Sequence, residues 1–113
     1  MKVHHGCPGQ ATIHILSGKS RVQAVWRLSF GPLRFAELRH LLRGVSEKVL
    51  AAQLRELEKD GVIRRTAVLS SPPKVTYSLS PSGQTLIPLL EDLCDWGSQQ
   101  FGITPNLPHQ PYA

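Results

Sequence analysis

Between Ser46 and Ser80 the chain changes its period, and that change limits what it can fold into. In SEKVLAAQLRELEKDG the residues Leu50, Leu54 and Leu57 recur at three- and four-residue spacing, which sets them on one stripe of a helix. Lys48, Ala52, Arg55 and Lys59 then project from the opposite side. Ser46 suits the N-cap, where its hydroxyl accepts a hydrogen bond from an otherwise unpaired first-turn amide. Gly61 ends the helix. Beyond it, Val62–Leu69 and Val75–Leu79 have the β-branched content of strands, separated by Ser70-Ser71-Pro72-Pro73-Lys74. The expectation is an amphipathic helix with a basic outer face, followed by a hairpin whose proline-bearing loop is stiff.

Three shorter helices are predicted upstream. The first runs from Cys7-Pro8 to Leu16, with Ala11, Ile15 and Leu16 on one side and Ser17-Gly18 as its stop. The second covers Ser20 to Phe30, carries Val22, Val25, Trp26 and Leu28, and closes at Gly31-Pro32. The third, Phe35 to Leu42, holds Phe35, Leu38, Leu41 and Leu42 and ends at Arg43-Gly44. Downstream, Ser80-Pro81 opens a last helix, with Ser as cap and Pro at the first helical position. Leu86, Leu89, Leu90, Leu93 and Trp96 form its apolar stripe, and Pro88 inside that stripe is expected to kink or break it. The fold class is therefore mainly α with a small β-hairpin, an α+β arrangement. A chain of 113 residues has room for one such core. It is read as one domain over residues 7–101, with a flexible segment 1–6 and an irregular tail 102–113.

The order helix, helix, helix, hairpin, helix is that of a winged helix-turn-helix, and Arg43-Gly44-Val45 has the length and glycine content of its turn. A helix fits the DNA major groove, and a hairpin beside it reaches phosphates or the adjacent minor groove, so both need outward positive charge. The charge is distributed accordingly. Thirteen Lys and Arg against five acids leave +8 up to residue 74, whereas the remainder carries Glu91, Asp92, Asp95 and no base, hence −3. No apolar run reaches the roughly 18 to 20 residues of a membrane span. The first residues have no signal-peptide core, and two cysteines, Cys7 and Cys94, do not make a disulfide framework. A cytoplasmic protein with reduced thiols, no membrane association and no cofactor is expected.

Several motifs together resemble the HxlR-type, MarR-like bacterial transcriptional regulators. They are Cys7-Pro8, Gly18-Lys19, Arg34-Phe35-x-Glu37-Leu38, VSEKVLAAQLRELEKDGVIRR, PPKVTYSLSPSG and LCDWG at Cys94 to Gly97, in order over roughly residues 7 to 97. The resemblance implies a homodimer on an inverted-repeat operator, its interface built by the first and last helices, here with Leu86, Leu89, Leu90, Leu93 and Trp96. It also implies a thiol switch, because several members sense electrophiles or oxidants through an N-terminal cysteine at the position of Cys7. Lys2, His4 and His5, together with a helix N-terminus, give Cys7 the electropositive setting of a reactive thiol. A small apolar residue seated at the interface is the other reading. The chain departs from the family at Ser20, where Trp is usual, and at Ala51-Ala52, where polar residues are common.

Within that frame the DNA-binding candidates are Lys19, Arg34, Ser46, Lys48, Ala51, Ala52, Arg55 and Lys74. Lys48 and Arg55 are placed for a base edge and a phosphate, and the alanines for methyl contacts with thymine. Lys19 and Arg34 stand at helix starts, which the helix dipole disfavours for cations, so phosphate contact gives them a reason. Arg64 and Arg65 alternate along a strand, so at most one faces DNA. His4, His5, Cys7 and His14 match no closed zinc pattern, and neither Ser46 nor Ser82 has a His and an acid arranged to activate it. The partners expected are double-stranded DNA, a second copy of the chain, and a small electrophile or oxidant; no enzymatic activity is expected. A winged-helix protein-interaction module and a small metal-binding protein are the alternatives.

Overall fold

Helix α1, Pro8–Leu16, begins with proline in its first turn, where the missing N–H breaks no helical bond. A computed structural model describes residues 6–18 and 20–103; the expectations placed on Lys2, His4, His5 and Lys19, and on most of the two terminal segments, fall outside the described residues. Helix α2, Arg21–Leu28, buries Ala24, Val25, Trp26 and Leu28 and is the centre of the packing. Gly31-Pro32 ends that run. Strand β1, Leu33–Arg34, follows, then α3, Phe35–Leu41.

Helix α4, Glu47–Lys59, is bounded by local chemistry at both ends. At the start, the Val49 N–H donates to Ser46 Oγ (3.1 Å). At the end, Gly61 has φ +79°, and the N–H groups of Gly61 and Val62 donate to Glu58 and Leu57 carbonyls (3.0 and 2.9 Å). This is a Schellman closure, which needs a left-handed residue and so favours glycine. Between the caps, Leu50, Leu54 and Leu57 enter a core shared with Val25, Leu28, Leu38 and Leu42.

Strands β2, Ile63–Val68, and β3, Lys74–Leu79, pair antiparallel with Ile63 opposite Leu79 and Val68 opposite Lys74. The sheet is larger than the hairpin expected. β1 joins the other edge of β3, with Leu33 opposite Tyr77 and Arg34 opposite Thr76, giving the order β1-β3-β2. Two residues between Pro32 and Phe35 are too few to show an alternation in sequence.

Ser80 caps the short helix α5, Pro81–Gln84, by accepting from the Gly83 N–H (3.0 Å). The break expected at Pro88 falls just upstream, at Thr85-Leu86, and Pro88 becomes the second residue of α6, Ile87–Phe101, where it removes no bond. The stripe expected over Leu86 to Trp96 divides. Leu90 is fully buried and Leu86 half-buried against the same core, while Leu89, Leu93 and Trp96 face out. At 100° per residue the two sets lie roughly a quarter turn apart. Leu90, expected at a dimer interface, therefore lies inside the protomer's own core and offers a partner no surface.

Candidate nucleic-acid interface

On α4 the burial of three leucines dictates what faces out. Lys48, Arg55 and Lys59 are exposed and Ala52 lies half-exposed among them, all opposite Leu50, Leu54 and Leu57. Ala51 belongs to a flank instead, on the side of Glu47 and Glu58. The two alanines are thus not equivalent. Glu47 is engaged by Arg39 of α3 (3.4 Å), in a pair whose side chains are both well exposed. Such a pair adds little stability, but it partly neutralises the one acid in the first turn of the basic helix. Arg39 was not among the sequence candidates; bases at positions 34, 39 and 43, flanking the turn, were the available cue.

Register sorts the cations of the sheet. Residues opposite each other share a face, and neighbours along a strand alternate. Arg34, Thr76 and Thr66 form one row; Arg64 with Ser78 and Val68 with Lys74 lie on that same face. Arg65 is opposite Tyr77, and Leu33 completes the row on the other face, where Ile63 and Leu79 enter the core. Arg34, Arg64 and Lys74 therefore share the outer face, and all three are exposed. Arg34 also precedes α3, its N–H donating to Glu37 Oε1 (2.9 Å). The Ser46 hydroxyl uses its oxygen as the cap of α4, at the N-terminal end of that helix.

Cys7 is an exposed free thiol at the N-cap of α1, and its carbonyl accepts from Gln10 and Ala11 N–H groups (3.1 and 3.3 Å). Cys94 is half-buried, and burial, with help from the Asp95 carboxylate, pushes its thiol up from the ordinary value. An apolar groove of about 540 Å3 runs between α1, α2 and α6, lined by Ile13, Leu16, Val22, Leu89 and Leu93 among others. Among the described residues no three His, Cys, Asp or Glu side chains gather as a metal would require, and no helix is long and apolar enough to cross a membrane.

Known proteins are similar to this chain in sequence and in shape. The family described as HxlR-like helix-turn-helix matches over residues 15–104. The uncharacterized HTH-type transcriptional regulator YdeP of Bacillus subtilis strain 168 is 43% identical over 94 residues, spanning 83% of this chain and 73% of that protein. A crystal structure of an HTH-type transcriptional regulator, ytcD, superposes with a TM-score of 0.81 at 37% identity, over 87% of this chain and all of the other. The redox regulator HypR in its reduced form gives a TM-score of 0.79 at 34% identity, over 83% and 93% of the two chains; its oxidized form matches as well.

Proposed function

The chain belongs to the HxlR-like helix-turn-helix family, and from that premise we propose that it binds an inverted-repeat operator as a homodimer, reading bases with α4 and phosphates with the sheet. The transcriptional regulators of this family bind DNA and are not enzymes. The observation that carries the finer reading is the α4 stripe Lys48, Ala52, Arg55 and Lys59, exposed directly opposite the leucines that hold the helix down. A major groove about 12 Å wide admits such a helix with its outer stripe against base edges. Lys48 and Arg55 bracket the Ala52 methyl, which suits a thymine, and Ala51 on the acidic flank contributes less. Arg34 and Lys74 act on phosphates, as does Lys19. Ser46 both caps α4 and meets the backbone at its start.

The homodimer reading rests on the outward residues Leu89, Leu93 and Trp96 and on the groove beside them. Cys7 is the thiol that an electrophile or oxidant would meet first, since it is exposed at the start of α1, and HypR, a similar chain, is described as a redox regulator. Modification there would alter how α1 packs in the dimer and so the separation of the two α4 helices.

The test is binding to a duplex selected from a random pool, set against a random duplex, across a salt series. Lys48→Ala and Arg55→Ala are expected to lose about 1–3 kcal/mol on the selected site for each base contact removed. Arg34→Ala and Lys74→Ala should weaken both duplexes alike and flatten the salt slope by about one each. Four variants that bind both duplexes as the parent does would end the docking reading. For the thiol, selected-site affinity is compared before and after diamide or quinone in the parent and in Cys7→Ser. Loss in the parent alone is expected; equal affinity in all samples, with Cys7 shown by mass spectrometry to have reacted, refutes the switch.

A further inference from the structure

Arg21, the first residue of α2, ties three elements together. Its Nε–H donates to Gln53 Oε1 on α4, and its Nη1 donates to the carbonyl of Ile15 near the end of α1 (3.2 Å). Both bonds are partly buried. Gly18 makes the space for them: a Cβ built there would overlap Gln53 Oε1 and Arg21 Nε at once. Three residues that no charge or periodicity argument connects thus form one device at the corner where α1 turns into α2.

Through Gln53 the device reaches one flank of α4. Three leucines pack α4 on one side of its axis, and a directional bond on a flank adds a further constraint, resisting rotation about that axis. Gln53 is held by Arg21 on one flank through a partly buried hydrogen bond, whereas on the other flank Glu47 meets Arg39 only in an exposed ion pair. With a helix radius of about 5–6 Å including side chains, a roll of roughly 20° carries an outward tip by about 2 Å. That exceeds the hydrogen-bond window for a base contact, about 2.7–3.2 Å between heavy atoms.

We propose that Arg21 is a positioning residue for DNA reading: through Gln53 it sets the roll of α4, and through Ile15 it makes that roll follow displacements of α1, the helix whose other end carries Cys7. The inference rests on α4 as the reading helix. It assigns regulation a route inside one protomer, from the N-cap thiol along α1 to the base-reading stripe, in addition to any change of dimer spacing. Phosphate contact by Arg21 itself is the competing role, and it makes a different prediction. A phosphate contact strengthens binding to every duplex and adds to the salt slope, whereas a positioning bond changes only the preference for the right sequence.

The experiment uses the full chain as Arg21→Met, Gln53→Met and the double variant, with urea midpoints to establish that each is folded. Each single variant should lower the ratio of selected-site to random-duplex affinity about tenfold, with the random-duplex salt slope unchanged. The double variant should fall no further than either single one, because both remove the same bond. A salt slope reduced in Arg21→Met but not in Gln53→Met, an additive double variant, or an unchanged ratio in all three overturns the proposal. A readout without DNA separates this from failure of the operator reading. Cα–Hα residual dipolar couplings of α4 relative to α2 should change in both single variants of the free protein, and unchanged couplings refute the positioning role whatever the DNA result.

Discussion

Ser80 shows how much one hydroxyl can fix. It is buried, its oxygen accepts from the Gly83 N–H (3.0 Å), and its proton is directed at the carbonyls of Gly61 (2.6 Å) and Val62 (3.0 Å). The start of α5 is thereby clamped to the turn between α4 and β2, and Gly83 completes the clamp because a Cβ there would strike the Val62 carbonyl. Ser80→Ala is expected to lose about 1–2 kcal/mol, read from urea midpoints; an unchanged midpoint would show that the clamp is idle. The two cysteines divide by the same kind of local cause. Cys7 is exposed, while Cys94 is half-buried with its thiol pushed up by desolvation and Asp95. Iodoacetamide near neutral pH should label Cys7 ahead of Cys94, and the lag of Cys94 should shorten as pH rises. Equal rates would mean that α6 opens as fast as the thiol reacts. The raised thiol also makes stability depend on pH. Above the ordinary thiol range the unfolded chain has lost a proton that folded Cys94 still holds, so its contribution falls as pH climbs through that window and is flat below it.

At the scale of elements, α4 was wholly legible in sequence and the sheet was not. Leu50, Leu54, Leu57, Ser46 and Gly61 all act within a turn or two of their neighbours, so their spacing carries the helix, both its caps and its outer face. Leu33 and Arg34 pair with residues more than forty positions away, and no local pattern records such a partner. A separation of 32 positions likewise hid the bridge between Arg21 and Gln53. Sequence distance also hid which of the two exposed residues Arg64 and Arg65 shares a face with Arg34 and Lys74, since that depends on which strands flank them. The helix does break near Pro88, but at Thr85-Leu86 and not at the proline, because there it can restart with proline in its first turn. Register now yields a prediction for the wing. Arg64 shares its face with Arg34 and Lys74, so Arg64→Ala should lower the salt slope for duplex binding by about one, and Arg65→Ala should leave it unchanged. Equal effects of the two substitutions would sink the face assignment.

At the scale of the whole molecule, charge and apolar surface are segregated. The bases end at Lys74, and α6 carries Glu91, Asp92 and Asp95. On α6, Glu91 and Asp95 lie away from Leu89, Leu93 and Trp96, and Asp92 borders them, three residues after Leu89 and four before Trp96. Leu93 is 53% exposed and Trp96 61% exposed, and the Trp96 ring meets Phe101 edge to face at 6.0 Å. Ile13 of α1 is 68% exposed beside the same groove. Apolar side chains gathered this way are what a partner surface presents, and a second copy across a two-fold axis would set two α4 helices on one face of the duplex, where half-sites one turn apart are about 34 Å from centre to centre. Acids repel phosphate, which would keep such a seam off the DNA. Two leucines on one helix then separate assembly from folding. Leu93→Glu should convert a sedimenting dimer to a monomer and lower selected-site affinity sharply, with the urea slope of the protomer retained. Leu90→Ala, at a position with no exposure, should instead destabilise the protomer by about 2–5 kcal/mol through the cavity it leaves. A parent chain that sediments as a monomer at micromolar concentration would refute the two-fold arrangement, and a Leu93→Glu variant that remains dimeric would move the interface off α6.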